Sequence, residues 1–205
     1  MKQFWQKNKF VLLTFSGWIL LLRLVEWLSY RIPVRSGYIG AVPWGNFDGI
    51  HYVRIAQAGY VQYTQAFFPV YPLLMRLLGR LLPFSYETLG VGISLTSFLA
   101  GLLILHKLLY GKSKQLARNT VLFLLLFPTS FFFHTVYTEG LFFLCVVLVM
   151  YFTDRKNFFA AGVIVGIAGA IRIVGVCLAA YVLLEYIREK PKKIPTKDIV
   201  GFLFM

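Results

Sequence analysis

Long apolar runs separated by short polar segments make up most of this chain, and their lengths predict membrane-spanning helices. A helix needs about 20 mostly apolar residues to cross roughly 30 Å of hydrocarbon. Several runs of the chain approach or exceed that length, and few of their positions are charged. We therefore expect an all-α integral membrane protein, a multispanning helical bundle that forms one transmembrane domain over residues 1–205.

The N-terminal part predicts one span, then a loop, then a helix lying in the membrane interface. The apolar run over residues 10–27 is not followed by a small-residue cleavage site, so we expect an uncleaved span rather than a signal peptide. Residues 31–66 are rich in Gly, Pro and aromatic side chains and are expected to form an ordered interfacial loop. Residues 67–83 hold an apolar stretch too short to span and predict an amphipathic interfacial helix that starts at Pro72 or soon after.

The central part predicts two further spans and a return to the first side of the membrane. Residues 86–109 form the second expected span, and residues 119–127 form the third, which ends near a proline. Residues 128–140 carry polar side chains and are expected to form an outer turn. Residues 141–152 are apolar and are expected to lead back across the bilayer.

The C-terminal part is ambiguous in its number of crossings. The apolar stretch over residues 158–187 has Arg172 at its middle and basic residues at both ends. A tight pair of short helices that turn at Arg172 would keep both ends on one side, and a single tilted span is the simpler alternative. The final apolar run, residues 199–205, is too short to span, so we expect the chain to be the N-terminal part of a longer protein.

Composition and charge placement support a membrane protein and set its expected orientation. Hydrophobic residues make up 59% of the chain and charged residues 14%, against about 25% charged in soluble proteins. The net charge of +13 comes mostly from clusters at the ends of apolar runs, as expected for cytoplasmic loops and not for nucleic-acid binding. The loop over residues 31–66 should therefore face the non-cytoplasmic side. The clustered residues are Lys2, Lys7, Lys9, Lys107, Lys112, Lys114, Arg118, Arg155, Lys156, Arg188, Lys190, Lys192, Lys193 and Lys197.

Motifs for most common chemistries are missing from the sequence. Cys145 and Cys177 lie in apolar runs without metal-ligand spacing, and we expect them to be packing residues. No Walker loop, GxGxxG segment, Ser/His/Asp arrangement or Cys/His metal cluster is present. We therefore predict neither a metal site nor a cofactor.

Asp48 is the strongest candidate for a catalytic residue. It is the only acidic residue of the outer loop, and Trp44, Phe47 and Tyr52 surround it in the sequence WGNFDGIHY. A carboxylate held at an interface, with His51 and Arg54 following within two helical turns, is a plausible general base. The alternative is that Asp48 caps a helix starting at Gly49, and spacing alone favours neither role.

Two acid–arginine combinations lie near the expected outer side. Arg172 sits deep in an apolar segment, and burying a guanidinium costs about 2.5 kcal/mol or more, so it should pair with an anion or carboxylate. Glu139 is the internal partner that we expect. Arg23 and Glu26 are three residues apart and share a helical face, which favours a structural pair. The lone His134 among phenylalanines is also expected to be structural.

Three ordered segments resemble one enzyme family. WGNFDGIHYVRIAQAGY followed by AFFPVYPLLMRLL resembles an aromatic–Asp–x–x–His–aromatic core, a Gly-Tyr pair and an A-F-F-P-x-x-P-L segment. The segment FPTSFFFHTVYTEGLFFL is similar to that family's Y-[ST]-E-x-L-F segment, and GIAGAIRIVGV to its G-x-A-x-x-x-R-x-x-G segment. The family is the GPI mannosyltransferase II (PIG-V-like) family with its bacterial relatives, within the GT-C glycosyltransferase superfamily.

The resemblance implies a membrane mannosyltransferase that uses a polyprenyl-phosphate sugar and transfers it to a lipid-linked or cell-surface glycan acceptor on the non-cytoplasmic face. Asp48 would be the general base. His51, Arg54, Glu139 and Arg172 would bind the donor phosphate or substrate. An interfacial helix carrying Arg76 and Arg80 would guide donor headgroups. The expected location is a bacterial or archaeal plasma membrane, or the ER membrane of a eukaryote, where membrane lipids are the surroundings.

Two other function classes fit the same sequence. A transporter or lipid flippase would also place an acid and an arginine in a membrane cavity, although it usually places them near the bilayer midplane in broken helices. A non-catalytic subunit of a membrane assembly is the third possibility. A sugar-transfer assay separates the enzyme from both.

Overall fold

The computed structural model of the protein describes residues 2–31, 44–189 and 195–205, so residues 32–43 of the expected outer loop and residues 190–194 of the last basic cluster lie outside the description. The described residues form helices and turns without a strand. Two 3-10 turns, Ser130–His134 and Ile173–Val176, interrupt the helical order. The α-helices are α1 (Lys2–Ser29), α2 (Asp48–Ala58), α3 (Val70–Leu81), α4 (Tyr86–Tyr110), α5 (Lys114–Leu126), α6 (Glu139–Asp154), α7 (Phe158–Gly169), α8 (Cys177–Glu189) and α9 (Thr196–Leu203).

Two helices among the described residues are long and apolar enough to cross a membrane. They are the Asn8–Ser29 part of α1 and the whole of α4, which match the first and second predicted spans closely. Helices α5 to α8 are shorter, with 12 to 16 residues each. Helix α5 begins at Lys114, five residues before the predicted third span, because Ser113 caps it by accepting a hydrogen bond from the backbone N–H of Leu116.

Helices α1, α4 and α5 pack around one apolar cluster and alternate in direction. The start of α1 meets the end of α4, where the rings of Phe10 and His106 lie 6.0 Å apart. The later part of α1 meets the middle of α4, where the rings of Trp18 and Phe98 lie 5.6 Å apart. Helix α5 runs alongside α1 in the same direction. The Arg118 guanidinium near the start of α5 lies over the ring of Phe10 near the start of α1. Alternating directions are what successive crossings of a bilayer require.

Helix α6 runs parallel to α4 and in close contact with it. A Cβ atom added at Gly140 would lie 2.3 Å from the backbone oxygen of Ser94, so only glycine permits this approach. Further along, Gly101 of α4 lies against the ring of Phe143. The Ser94 hydroxyl also donates a 2.8 Å hydrogen bond to the backbone oxygen of Tyr137. The contact therefore fixes the beginning of α6 against α4.

Residues 158–187 form two antiparallel helices, as the paired-helix prediction expects, and not the single tilted helix of the alternative. Phe158 at the start of α7 packs edge-on against Tyr186 near the end of α8, with ring centroids 4.8 Å apart. The chain leaves the helical conformation at Arg172, which is extended (φ −151°, ψ 140°). At this reversal, Gly175 packs against the backbone of Ala168. A Cβ added at Gly175 would lie 2.3 Å from the Ala168 carbonyl carbon.

Helix α9 runs along α7 in backbone contact. A Cβ at Gly162 would lie 2.2 Å from the backbone oxygen of Gly201, and one at Gly166 would lie 2.3 Å from that of Phe204. The small residues of the apolar stretch therefore serve helix packing, as routine in membrane proteins.

Helices α2 and α3 lie beside the first third of α4, and α3 differs from the sequence prediction at its start. Helix α3 begins at Val70, two residues before the predicted start, which leaves Pro72 in the first turn, where a proline costs little. Arg76 of α3 also makes hydrogen bonds within the protein. Its Nε and Nη2 atoms each donate a 2.8 Å hydrogen bond to the backbone oxygens of Ala56 and Ile55, which closes the C-terminus of α2.

Candidate functional site

Helix α2 begins at the predicted catalytic residue itself. Asp48 is the first helical residue, the flanking residue is Phe47, and no side chain caps the helix, so the predicted capping role of Asp48 is wrong. Phe47 has φ 53°, which is unusual for a bulky residue and costs about 1–3 kcal/mol. The Asp48 side chain is exposed in the first turn, where the helix dipole favours a negative charge.

The start of α2 is docked onto the turn that precedes α6. The backbone N–H of Val136 donates a 2.8 Å hydrogen bond to the backbone oxygen of Trp44. The Tyr137 hydroxyl donates a 3.3 Å hydrogen bond to the backbone oxygen of Asn46. Gly49 permits this docking, because a Cβ there would lie only 3.1 Å from the Val136 oxygen. Two segments about 90 residues apart thereby meet beside Asp48.

Glu139 and Arg172 form the predicted ion pair across α6 and the α7–α8 break. The Arg172 Nη1 atom contacts the Glu139 Oε1 atom and lies 3.3 Å from the Thr138 hydroxyl oxygen. The guanidinium also lies 5.9 Å from the centre of the Phe142 ring. Both side chains are about one third exposed. The second carboxylate oxygen, Glu139 Oε2, is buried and has no hydrogen-bond partner among the described residues.

Tyr52 lies near both Asp48 and the Glu139–Arg172 pair and was not predicted as a site residue. Burial raises the pKa of Tyr52, a hydrogen bond with Thr138 lowers it, and the charges of Asp48 and Glu139 raise it further. Burial and the charge of Asp48 likewise raise the pKa of Tyr137. Both phenols are therefore protonated at neutral pH and can donate hydrogen bonds. The sequence signal was available, since Tyr52 follows Asp48 by four residues on one helical face.

The two other predicted site residues are placed differently. The His51 ring stacks on Phe67 with centroids 4.7 Å apart, and it is half-buried beside α3. Arg54 is exposed, and its side chain makes no ion pair or hydrogen bond with the described residues. Asp48, Glu139 and Arg172 all lie near enough to Tyr52 for their charges to affect its pKa, while Arg54 follows Asp48 by six residues along α2.

An open, mostly apolar cavity of about 550 Å³ adjoins the ion pair. Phe123 of α5, Phe127 directly after α5 and Phe132 of the turn line its walls together with Glu139. Its volume falls within the range of small-molecule sites, about 300–1,000 Å³. Among the residues that the structure describes, no group of three or more His, Cys, Asp or Glu side chains could hold a metal ion.

Comparison with known families adds one finding. A family model described as Mannosyltransferase (PIG-V) matches residues 34–190, which is well over half of the chain and includes Asp48, Glu139 and Arg172. No curated protein matches the chain, and no solved structure does.

Proposed function

The chain belongs to the Mannosyltransferase (PIG-V) family, and we propose that it transfers mannose from a polyprenyl-phosphate donor to a hydroxyl of a lipid-linked or cell-surface glycan acceptor. The family match supports glycosyltransferase activity. The observation that carries the finer proposal is the convergence of Asp48 with the Glu139–Arg172 pair around Tyr52.

Asp48 is the general base of the proposed transfer. The acceptor oxygen attacks the anomeric carbon of mannose while Asp48 takes the proton of that hydroxyl. The bond from the anomeric carbon to the phosphate oxygen breaks, and polyprenyl phosphate leaves with the electron pair, which inverts the anomeric configuration. A positioned base contributes about 10²–10⁴-fold in rate. The exposure of Asp48 in the first turn of α2 supports this role, since the carboxylate is reachable and no side chain occupies it.

Arg172 stabilises the phosphate as it leaves. Charge grows on the phosphate oxygens in the transition state, and a cation held in place beforehand lowers that barrier. Its guanidinium is fixed by Glu139 and Thr138, and its side chain is still about one third exposed, which supports a second interaction with a ligand. In this proposal, Glu139 and the Tyr52 hydroxyl orient sugar hydroxyls. His51 and Arg54 lie farther from the reacting atoms and guide the donor as it approaches the site.

The site faces the non-cytoplasmic side in a multi-pass arrangement. Helices α1 and α5 run in one direction and α4 and α6 in the other, which supports successive crossings. Basic side chains lie at the end of the bundle away from Asp48, including Arg118 near Phe10 and Lys156 at the end of α6. Positive charge marks the cytoplasmic end of membrane proteins.

Lipid transport is the second candidate function, and one observation favours it. The apolar helix pair α7–α8 is broken at Arg172, and broken helices carrying a charge are frequent in transporters. Transport requires no proton acceptor at Asp48, whereas sugar transfer does. The two candidates therefore respond differently to a change at that residue.

The test is sugar transfer in membranes that carry the protein, with labelled polyprenyl-phosphate mannose as donor. Asp48→Asn keeps the size and polarity of the side chain but cannot take the proton, so transfer should fall about a hundredfold or more. Asp154→Asn changes another exposed helical acid at the end of α6 and serves as the matched control, with unchanged transfer.

Equal membrane abundance and equal thermal stability of the two variants are required for the comparison. Wild-type transfer in Asp48→Asn would remove the proposed base. Absence of transfer by the wild type together with labelled-lipid translocation that survives Asp48→Asn would favour the transporter. A wild type without either activity would leave the non-catalytic subunit as the function.

A further inference from the structure

Trp44 contacts three parts of the chain that are distant in sequence. Its indole Nε1 atom donates a 3.0 Å hydrogen bond to Glu26 Oε1 at the outer end of α1. Its ring lies 4.5 Å from the ring of His134 in the 3-10 turn. Its backbone oxygen accepts the hydrogen bond from the Val136 N–H. One residue thus joins α1, the segment before α2 and the turn before α6.

The partners of Trp44 are themselves fixed. Glu26 Oε2 accepts a 2.8 Å hydrogen bond from Arg23 Nη1, so both oxygens of this carboxylate are occupied. His134 is fully buried, and the Trp18 ring packs against it at 6.4 Å. Trp18 in turn donates a 3.1 Å hydrogen bond to the Ser130 hydroxyl of the same turn. The anchoring surface is therefore rigid on both sides of Trp44.

The position of Trp44 in the chain links this anchoring to the site. Asp48 follows Trp44 by four residues, and Glu139 follows Val136 by three, so both acids extend from the same hydrogen-bonded point. No hydrogen bond of the Asp48 side chain to a described residue holds it in place. The distance between Asp48 and Glu139 therefore depends on the backbone that leads from the Trp44–Val136 hydrogen bond to each of the two acids.

We propose that Trp44 is a positioning residue, which holds the start of α2 against the turn before α6 and thereby sets the place of Asp48 relative to the Glu139–Arg172 pair. The proposal rests on the proposed function, since it assigns a role in the same site. A displacement of about 1 Å costs up to about a hundredfold in rate when reacting groups are misplaced, so a positioning residue has a measurable effect on kcat.

The first measurement is kinetic. Trp44→Ala removes the ring contact and the indole donor, and it should lower kcat about tenfold or more with little change in KM. Trp44→Phe keeps a ring against His134 but loses the donor to Glu26, and it should lower kcat less. Trp27→Phe is the matched control. Trp27 is an exposed tryptophan at the end of α1, next to Glu26, and its ring packs against the Arg31 guanidinium and not against the turn before α6.

A disulfide can replace the proposed role of Trp44. A Cβ added at Gly49 would lie 3.4 Å from the Val136 Cβ, close to the 3.5–4.5 Å of disulfides. A shift of a few tenths of an ångström would bring this pair into the disulfide range and also relieve the 3.1 Å approach of that Cβ to the Val136 oxygen. In a Cys177→Ser background, which removes the exposed native cysteine, Gly49→Cys with Val136→Cys should oxidise readily. Trp44→Ala should slow that oxidation about tenfold, and Trp27→Phe should not. This measurement needs no enzyme activity.

The rescue experiment decides the proposal. If Trp44 acts by position, the disulfide between residues 49 and 136 should make Trp44 dispensable. The oxidised protein with Trp44→Ala should then have the same kcat as the oxidised protein with the same cysteine pair and an intact Trp44. Reduction of the disulfide should abolish this rescue. A Trp44→Ala protein with wild-type kcat and normal oxidation of the pair would overturn the proposal. So would a kcat defect that the disulfide leaves unchanged. If the wild type transfers no sugar, slowed oxidation still supports the positioning role while the proposed function fails.

Discussion

Two acid–arginine pairs lie at the same end of the molecule, and they differ in how fully their carboxylates are used. In the pair of α1, Glu26 binds Arg23 with one oxygen and Trp44 with the other. In the pair across α6 and the α7–α8 break, Glu139 binds Arg172 with one oxygen, and its second oxygen is buried without a hydrogen-bond partner among the described residues.

The difference agrees with the roles proposed above, a structural one for Glu26 and a substrate-binding one for Glu139. A buried oxygen without a partner is costly, so its presence in a native fold requires an explanation. Glu139 is one of the residues that line the apolar cavity, and its side chain is 28% exposed. Both oxygens of Glu26 accept hydrogen bonds from side chains of the protein. This contrast supports the proposal that the first pair serves the fold and the second the substrate.

The largest expected effect comes from neutralising each pair in turn. Arg172→Met combined with Glu139→Gln removes both charges without leaving one unpaired, and transfer should fall about a hundredfold, because the leaving phosphate loses its cation. Arg23→Met combined with Glu26→Gln keeps an acceptor for Trp44 and should cost less than about tenfold in transfer. The measurement is kcat with labelled donor at equal abundance of folded protein. Equal losses in both double variants would contradict the assignment.

A smaller effect is expected from changing the carboxylates alone. Glu139→Gln keeps an oxygen for Arg172 but weakens the bond to a substrate hydroxyl, since a bond to a charged group is worth about 1.5–3 kcal/mol against about 1 for a neutral one. Transfer efficiency, kcat/KM, should fall about tenfold. Glu26→Gln still accepts the Trp44 hydrogen bond and serves as the control. A larger loss in Glu26→Gln than in Glu139→Gln would reverse the comparison.

Low pH should lower the stability of the region around the Arg23–Glu26 pair, because His134 packs there against Trp44. Burial lowers the pKa of His134, and the nearby charge of Arg23 lowers it further, against a smaller opposing effect of Glu26. The unfolded chain takes up the proton near pH 6.5, whereas the folded one resists it. Stability is therefore complete above about pH 6.5 and falls below it, by at most about 1.4 kcal/mol per pH unit.

Thermal unfolding of detergent-solubilised protein at pH 7.5 and 5.5 measures this effect. His134→Phe keeps a ring against Trp44 and cannot titrate, so it should lose part of the acid sensitivity. A variant with the full sensitivity of the wild type would show that another group is responsible.

The smallest effect is expected at Arg76, whose contacts, like those of the Arg23–Glu26 pair, lie within the fold. Both hydrogen-bonding contacts of Arg76 go to backbone oxygens at the end of α2. Arg76→Met should lower the free energy of unfolding by about 0.3–1 kcal/mol, the usual range for a cation at a helix C-terminus. Arg80→Met removes the exposed arginine one turn later and should have no effect. A loss of donor binding in Arg76→Met at unchanged stability would instead support the predicted headgroup role.

The sequence predicted the helices better than it predicted their ends. The first two spans and the break at Arg172 follow from the length and polarity of the apolar runs. The start of α2 was placed one residue late, because Asp48 has the chemistry of a cap but Phe47 occupies the flanking position with a positive φ. No local pattern signals such a backbone conformation in a phenylalanine.

The same division applies to the candidate site. The pairing of Glu139 with Arg172 could be predicted, because a buried cation in an apolar segment needs an acid and few acids are available. The roles of Trp44 and Arg76 could not. Their partners are a side chain 18 residues earlier for Trp44 and backbone oxygens 20 and 21 residues earlier for Arg76. Nothing in the residue type indicates which acceptor a donor will find.

By itself, the sequence determined the all-helical architecture, the resemblance to a mannosyltransferase family and the identity of the scarce charged residues, because these depend on composition, periodicity and short motifs. Only the tertiary structure decided that both oxygens of Glu26 accept hydrogen bonds, while one oxygen of Glu139 has no partner among the described residues. It also decided that Tyr52 lies near enough to Asp48 and Glu139 for their charges to raise its pKa. Hydrogen-bond partners across helices depend on how glycine contacts such as Gly140 on Ser94 set the spacing of whole elements, and that spacing exists only in the packed protein.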